Sequence, residues 1–296
     1  SSGQGHETLV ATVVGEILEI DPELISIARP NSIESLPGNS PVGSRMAIML
    51  GGAAARASKK LKEKLLLIGS HKLGFKREEL TYSKGSVLAP DGSSIHWNEF
   101  VDLCHRRIDQ LPENMDPGLA SFDIMQVPTG GTLPKNDKVQ MYPCYSFEFH
   151  LVLLSFDPII CKPNIKSYTV GHDCGTVINP SIVSGMTYGG IAHGIGAALL
   201  EEFAYDNNGQ LMTQSFLDYL MPSSHEIPEI KIIKHSTPSQ HTIFGQKGSG
   251  ESGYLGAPAA ISSAINDALS PLNISFLSLP IRMGLVSDAI AKRDVR

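Results

Sequence analysis

The residues best suited to chemistry in this 296-residue chain lie in Gly245-Gln246-Lys247-Gly248-Ser249-Gly250-Glu251-Ser252-Gly253, just ahead of an alanine-rich helical pattern at 257–265. A single carboxylate, Glu251, stands among Gly245, Gly248, Gly250 and Gly253. Glycine permits positive φ and close approach of backbone to a ligand, so the loop sets N–H donors beside that carboxylate. A carboxylate so placed is a candidate general base. Three more glycine-rich stretches, at 3–5, 38–43 and 185–190, are likewise read as loops leading into helices. Unpaired N–H groups and the positive end of a helix dipole hold phosphate or another anion. Four such stretches in one chain point to an extended anionic ligand. His6, beside Gly5 at a helix start, can donate to such a ligand, whereas the other histidines are read as surface or satisfied core residues.

No named signature accounts for these loops. The chain has no G-x-x-x-x-G-K-[ST], no G-x-G-x-x-G between a strand and a helix, and no H-E-x-x-H. The run Gly250-Glu251-Ser252-Gly253-Tyr254 lacks the last glycine of a nucleophile elbow.

The elements that must position the loops read as two lobes of α+β character, with strands and helices alternating too irregularly for a regular parallel sheet. The first lobe, 1–125, holds a helix at 6–18, a strand at 24–28, a long Ala- and Lys-rich helix at 46–67, a hairpin over 80–97 and a short helix at 99–107. Residues 126–144 form a proline- and glycine-rich bridge. The second lobe, 145–296, holds strands at 147–156, 165–170 and 230–234, with helices at 191–201, 257–269 and 284–292. The chain is 42% hydrophobic, enough for proper cores. Its net charge of −6 lacks the footprint of a nucleic-acid binder. Cys104, Cys144, Cys161 and Cys174 are too widely spaced for an iron–sulfur or zinc site and fit a reducing, cytoplasmic setting. No apolar run approaches a membrane span. The sequence begins at Ser1 within an apparent functional loop, which suggests a processed chain or a piece of a longer one.

In order along the chain stand Gly3-Gln4-Gly5-His6-Glu7-Thr8, Gly43-Ser44-Arg45, Asp173-Cys174-Gly175-Thr176-Val177-Ile178-Asn179-Pro180, Gly189-Gly190-x-x-His193-Gly194-x-Gly196, Phe216-Leu217-Asp218-Tyr219-x-x-Pro222 and Lys247-Gly248-x-Gly250-Glu251-Ser252. Together they resemble the C-terminal half of the molybdenum-binding subunit of the xanthine dehydrogenase, aldehyde oxidase and carbon monoxide dehydrogenase family. The resemblance covers nearly the whole chain and implies the second molybdopterin-binding region of a molybdenum hydroxylase. The implied cofactor is molybdopterin cytosine dinucleotide carrying molybdenum, held through the pterin rather than by direct protein ligands to the metal. By position, Gln4, Gly5, His6, Gly43, Ser44, Arg45, Asp173, Cys174, Lys247, Gly248, Ser249 and Gly250 would surround it. Glu251 matches the family's base, which takes a proton from a metal-bound hydroxyl as its oxygen attacks an electron-poor carbon. That role implies a carboxylate whose acidity is adjusted by burial. Electrons would leave through 2Fe-2S clusters to FAD on partner subunits, with a further chain or segment carrying the first half of the molybdenum subunit.

The sequence also departs from the family. Gly185-Met186 stands where the family has Gly-Gln, the segment at 29–32 lacks an acidic residue, and the half that carries the metal-facing loop is absent. The implied activity is oxidation of an aldehyde, N-heterocycle or related small molecule. Rival readings are a non-redox hydratase or hydrolase of the same family, a hydrolase using Ser1 as nucleophile, and a non-catalytic scaffold.

Overall fold

In the computed structural model the described residues are 3–29, 31–33, 41–126, 142–157 and 159–294. Ser1, residues 38–40 of the second glycine stretch and most of the expected bridge lie outside them. The chain divides into two compact units, residues 1–143 with 240–246, and residues 144–239 with 247–296. Both mix helices with an antiparallel or mixed sheet, as an α+β reading requires.

In the first unit, α1 (His6–Leu18) packs along α2 (Met46–Leu73), burying Val13, Ile17, Ile48 and Ala55. The sequence pattern places the end of α2 at 67, but buried Ile68 and Gly69 carry it on to Leu73, where Gly74 at φ 75° terminates it. That left-handed cap suits glycine because no Cβ opposes it. Gly69 is required by packing, since a Cβ there would fall 2.6 Å from Val87 Cγ1. Val87 lies on β2 (Ser86–Leu88), central in a small antiparallel sheet with β1 (Thr81–Ser83) and β3 (Ser94–Ile95). The α3 helix (Trp97–His105) buries Phe100 and Leu103. The strand expected at 24–28 does not form. A 3-10 turn, Pro22–Leu24, is capped by Asp21 Oδ1, which accepts from Glu23 N at 2.9 Å; Leu24 is exposed, and no strand pairs with this segment among the described residues.

The second unit is built on a mixed sheet in the order β4 (Phe147–Asp157), β5 (Lys162–Asp173), β6 (Ile230–Lys234), the first pair antiparallel and the second parallel. One face carries Val152, Leu154, Tyr168, Val170 and Ile230, and packs with α4 (Pro180–Leu199) and α6 (Ala257–Leu269) through Ile191, Ile195, Ile261 and Ile265. A short helix, α5 (Ser252–Leu255), precedes α6, and α7 (Met283–Asp294) adds Val286 to the core. β5 is longer than the expected 165–170 because it pairs with β4 along its whole length.

The third glycine stretch is not a loop. Asn179 caps α4, its Oδ1 accepting from Ile182 N at 3.0 Å, and Pro180 occupies the first turn, so 185–190 sits inside the helix expected only from 191. Two of its glycines serve packing: a Cβ on Gly190 would fall 2.7 Å from Tyr254 N, and one on Gly194 would collide with Ala257. Gly253 reciprocates, its missing Cβ leaving space for Thr187 O. Among the described residues no helix is long and apolar enough to cross a membrane.

Candidate functional site

The end of β5 places His172 and Asp173 on opposite faces of the sheet, as the two-residue period of a strand dictates. Asp173 is the more heavily bonded. Its Oδ1 accepts from Gly175 N at 2.8 Å and Thr237 N at 3.1 Å, and its Oδ2 accepts from Thr237 Oγ1 and from Lys247 Nζ at 3.1 Å. Burial opposes ionisation of this carboxyl, but the bonds from Thr237, Gly175 and Lys247 outweigh it and hold the group well below the usual carboxylate range. Lys247 is 7% exposed; its Nζ also donates to Thr237 Oγ1 at 2.7 Å and lies 5.3 Å from the ring centre of Phe147, the residue opposite Asp173 on β4. Lys247 N donates to Cys174 O at 2.8 Å, so Asp173 and Cys174 together grip the first residue of the glycine loop.

Beyond Lys247 the loop is open. Gly248, Ser249 and Gly250 are partly buried, and among the described residues their N–H groups donate to no backbone carbonyl. Glu251 follows at the N-cap of α5, exposed in this chain. Ser252 is buried, with its Oγ 3.1 Å from Ser146 Oγ, and Gly256 at the far end closes on His150, where a Cβ would fall 2.6 Å from Nε2.

A buried polar chain on the inner sheet face was not anticipated. Glu148 lies opposite His172; its Oε1 accepts from His172 Nδ1, and its Oε2 lies 3.1 Å from His150 Nε2, while His150 Nδ1 lies 2.8 Å from Tyr168 Oη. Glu148, His150 and His172 have side chains 7%, 4% and 3% exposed, so all three are deeply buried. Burial alone would push His172 down, but Cys174 and Glu148 raise it to about 9. Glu148 touches Nδ1 directly, whereas Nε2 meets no partner of hydrogen-bond geometry, so we assign the retained proton chiefly to Glu148. For Glu148, burial likewise opposes charge, and the two histidines overcome it and lower its acid range. The sequence held one signal of this chain: Glu148 and His150 occupy core-facing positions of an otherwise apolar alternation. Thr237 carried none.

The first unit carries the other predicted positions. Gly5, at φ 71°, is the N-cap of α1, which puts His6 in its first turn. Gly43 (φ 70°) and Ser44 (φ 54°) turn the chain into Arg45, the N-cap of α2; the site of a Gly43 Cβ is filled by the Tyr142 hydroxyl. Gly51 lies beside Leu9, so α1 and α2 meet near the ends that carry these residues. Gln246 was not singled out as a site residue, yet its side chain is 2% exposed; Nε2 donates to Ala47 O at 3.0 Å and Oε1 accepts from Phe244 N at 3.0 Å. The glycine loop is thus tethered at Gln246 to the first turn of α2 and at Lys247 to β5.

Among the described residues there is no cluster of His, Cys, Asp or Glu able to hold a metal ion. What the second unit offers is a bare run of backbone donors, a buried cation and an exposed carboxylate, a donor set that fits an anionic, hydrogen-bonding cofactor with a base at its edge.

Residues 1–228 match a family model described as a molybdopterin cofactor-binding domain. The nicotine 6-hydroxylase large subunit of Paenarthrobacter nicotinovorans is 34% identical over 95% of the chain and 33% of its own length. The carbon monoxide dehydrogenase large chain of Afipia carboxidovorans is 29% identical over 95% of the chain and 33% of its own length. Among solved structures, quinoline 2-oxidoreductase from Pseudomonas putida 86 aligns with a TM-score of 0.84 at 30% identity, covering 99% of this chain and 36% of that one. The chain spans about a third of the length of the curated relatives it matches.

Proposed function

This chain belongs to the molybdopterin cofactor-binding family of the molybdenum hydroxylases, and from that premise we propose that it forms one wall of a hydroxylase cofactor site and supplies the base. The observation that carries the proposal is the Lys247–Glu251 loop: its start is locked by buried bonds to Asp173 and Cys174, its glycine N–H groups donate to no backbone carbonyl among the described residues, and Glu251 follows at once. The cofactor is molybdopterin in its cytosine dinucleotide form, with the acceptor-rich phosphates and pterin edge taken up by N–H groups of Gly248, Ser249 and Gly250 and, from the other predicted positions, Gln4, His6, Ser44 and Arg45. Asp173, whose acceptor sites are taken by protein donors, serves by orienting Lys247 rather than by touching the cofactor.

When bound, the cofactor supplies the two-electron redox chemistry with oxygen derived from water. Glu251 is the group that takes up the proton at its carboxylate during that chemistry, which requires it to be dried and held at one distance. We infer that its exposure is removed by segments such as the relatives carry beyond the third of their length matched here. An N-heterocycle is the favoured substrate class, because nicotine and quinoline appear in the names of two relatives. Relatives named as large subunits, or as one subunit of a dehydrogenase complex, support partner subunits, and we assign to those partners the 2Fe-2S clusters and FAD that would carry the electrons away. Cysteines that form no disulfide among the described residues support a reducing, cytoplasmic setting.

The test is Glu251→Gln in the purified complex. Turnover is expected to fall by about 10²–10⁴-fold, the usual contribution of a positioned base, while molybdenum content stays at the native level. Substantial retained activity would remove Glu251 from this role.

A further inference from the structure

The glycine loop from Lys247 to Gly256 is anchored at both ends, and both anchors lead to one carboxylate. At the first end, Lys247 is bonded to Asp173, the last residue of β5, and to Cys174 just beyond it. At the other end, Gly256 closes against the face of His150 so tightly that a Cβ has no room. His172 and His150 both bond to Glu148, one to each carboxylate oxygen. Ser146, two residues before Glu148, reaches Ser252 within the loop. Glu148, His150 and His172 lie on the inner face of β4 and β5, with their side chains almost fully removed from solvent, whereas Asp173 and Lys247 lie on the opposite face, beside Phe147.

We propose that Glu148 is the positioning residue of the loop that carries Glu251: through His172 it holds the strand end that grips Lys247, and through His150 it holds the ring on which Gly256 closes. The proposal rests on the reading of Glu251 as the base only for its kinetic consequence; the mechanical claim stands on the contacts above. A buried carboxylate bonded by two histidines has one low-energy arrangement, whereas an amide in its place can satisfy only one of them as acceptor and turns its N–H₂ toward the other. Loss of the carboxylate charge would therefore release one anchor or both, with β4, β5 and α6 still paired and packed.

The experiment compares the purified complex with its Glu148→Gln, Glu148→Asp and Gly256→Ala forms. Amide hydrogen exchange is read on peptides covering 247–256 and on peptides covering 162–169 and 259–269. In Glu148→Gln and Gly256→Ala, exchange at 247–256 is expected to rise about tenfold or more while the two reference regions keep native rates. Molybdenum content is expected to stay native, and kcat to fall about 10–100-fold with KM little changed, as for a catalytic group displaced by about 1 Å. Glu148→Asp, which keeps the charge, should recover part of both effects. The proposal is overturned if exchange at 247–256 is native in Glu148→Gln, or if it rises equally in the reference regions, which would make Glu148 a general stability residue. Should Glu148→Gln fail to assemble, Gly256→Ala decides alone, since the atoms nearest its added Cβ all belong to His150; native exchange at 247–256 in that variant overturns the proposal. Failure of the hydroxylase reading is separate: it would appear as absent molybdenum or as activity retained in Glu251→Gln, with the exchange comparison still decisive.

Discussion

Asp173 and Lys247 offer the sharpest energetic test, because both are buried and their charges stand 3.1 Å apart. Two unit charges at that separation attract by about 5 kcal/mol at an effective dielectric of roughly 20. Replacing Asp173 with Asn keeps the shape but leaves the Lys247 ammonium buried without its counter-charge, for which a loss of about 3–5 kcal/mol is expected. Replacing Lys247 with Met is milder. Asp173 keeps Thr237 Oγ1, Thr237 N and Gly175 N as donors, and the thioether can still lie on Phe147, so about 1.5–3 kcal/mol is expected, the worth of one charge-assisted bond. The double variant should cost less than the two singles together by about 2–3 kcal/mol, since an orphaned charge is then absent. The assay is the local opening free energy at the Lys247 amide, which donates to Cys174 O, from hydrogen exchange in each of the four proteins. If the two single losses add to within about 0.5 kcal/mol, or if Lys247→Met is the more damaging, the pair is not the lock described here.

Other consequences follow from the same geometry. His172 binds its proton more tightly folded than unfolded, so its contribution is complete below about 6.5 and is lost as pH rises through about 9, on the order of 3 kcal/mol in all. The groups around it are Glu148, His150, Tyr168, Cys174, Lys234 and His235. Thermal unfolding followed from pH 6.5 to 9.5 should therefore show falling stability that flattens in Glu148→Gln; a native profile without that fall would contradict the ion pair. Within α4, Gly190→Ala forces a Cβ onto the backbone of residues 253 and 254 and should cost about 1–3 kcal/mol, whereas Gly185→Ala meets open space and should be neutral or stabilise by up to about 1 kcal/mol. Equal losses at both positions, measured by thermal midpoint, would show that the helix does not pack as described.

Much of the framework was readable because its signals are local. The helix at 6–18 and the helix at 257–269 carry regular apolar spacing and appear with the same bounds in α1 and α6. The strand at 230–234 does the same in β6. The stretch at 185–190 misled because glycine density has two causes, turning a chain and letting two helices touch, and composition does not separate them. Only the approach of α5 and α6 to α4 shows which applies. The segment at 24–28 failed for the opposite reason: strand-like alternation is realised only when a neighbouring strand supplies hydrogen bonds, and among the described residues none does.

By itself, the sequence determined the chemistry on offer, a lone Glu251 in a glycine loop and an ordered set of motifs that identify a cofactor family, because motif spacing and residue type are properties of the chain. The tertiary structure decided how that loop is held. Glu148 and His172 are 24 residues apart, and Asp173 and Lys247 are 74 apart, so their pairing depends on β4–β5 register and on the return of the chain after β6. Long-range register sets which buried charges meet, and a buried charge is tolerated only where its partner is already in place.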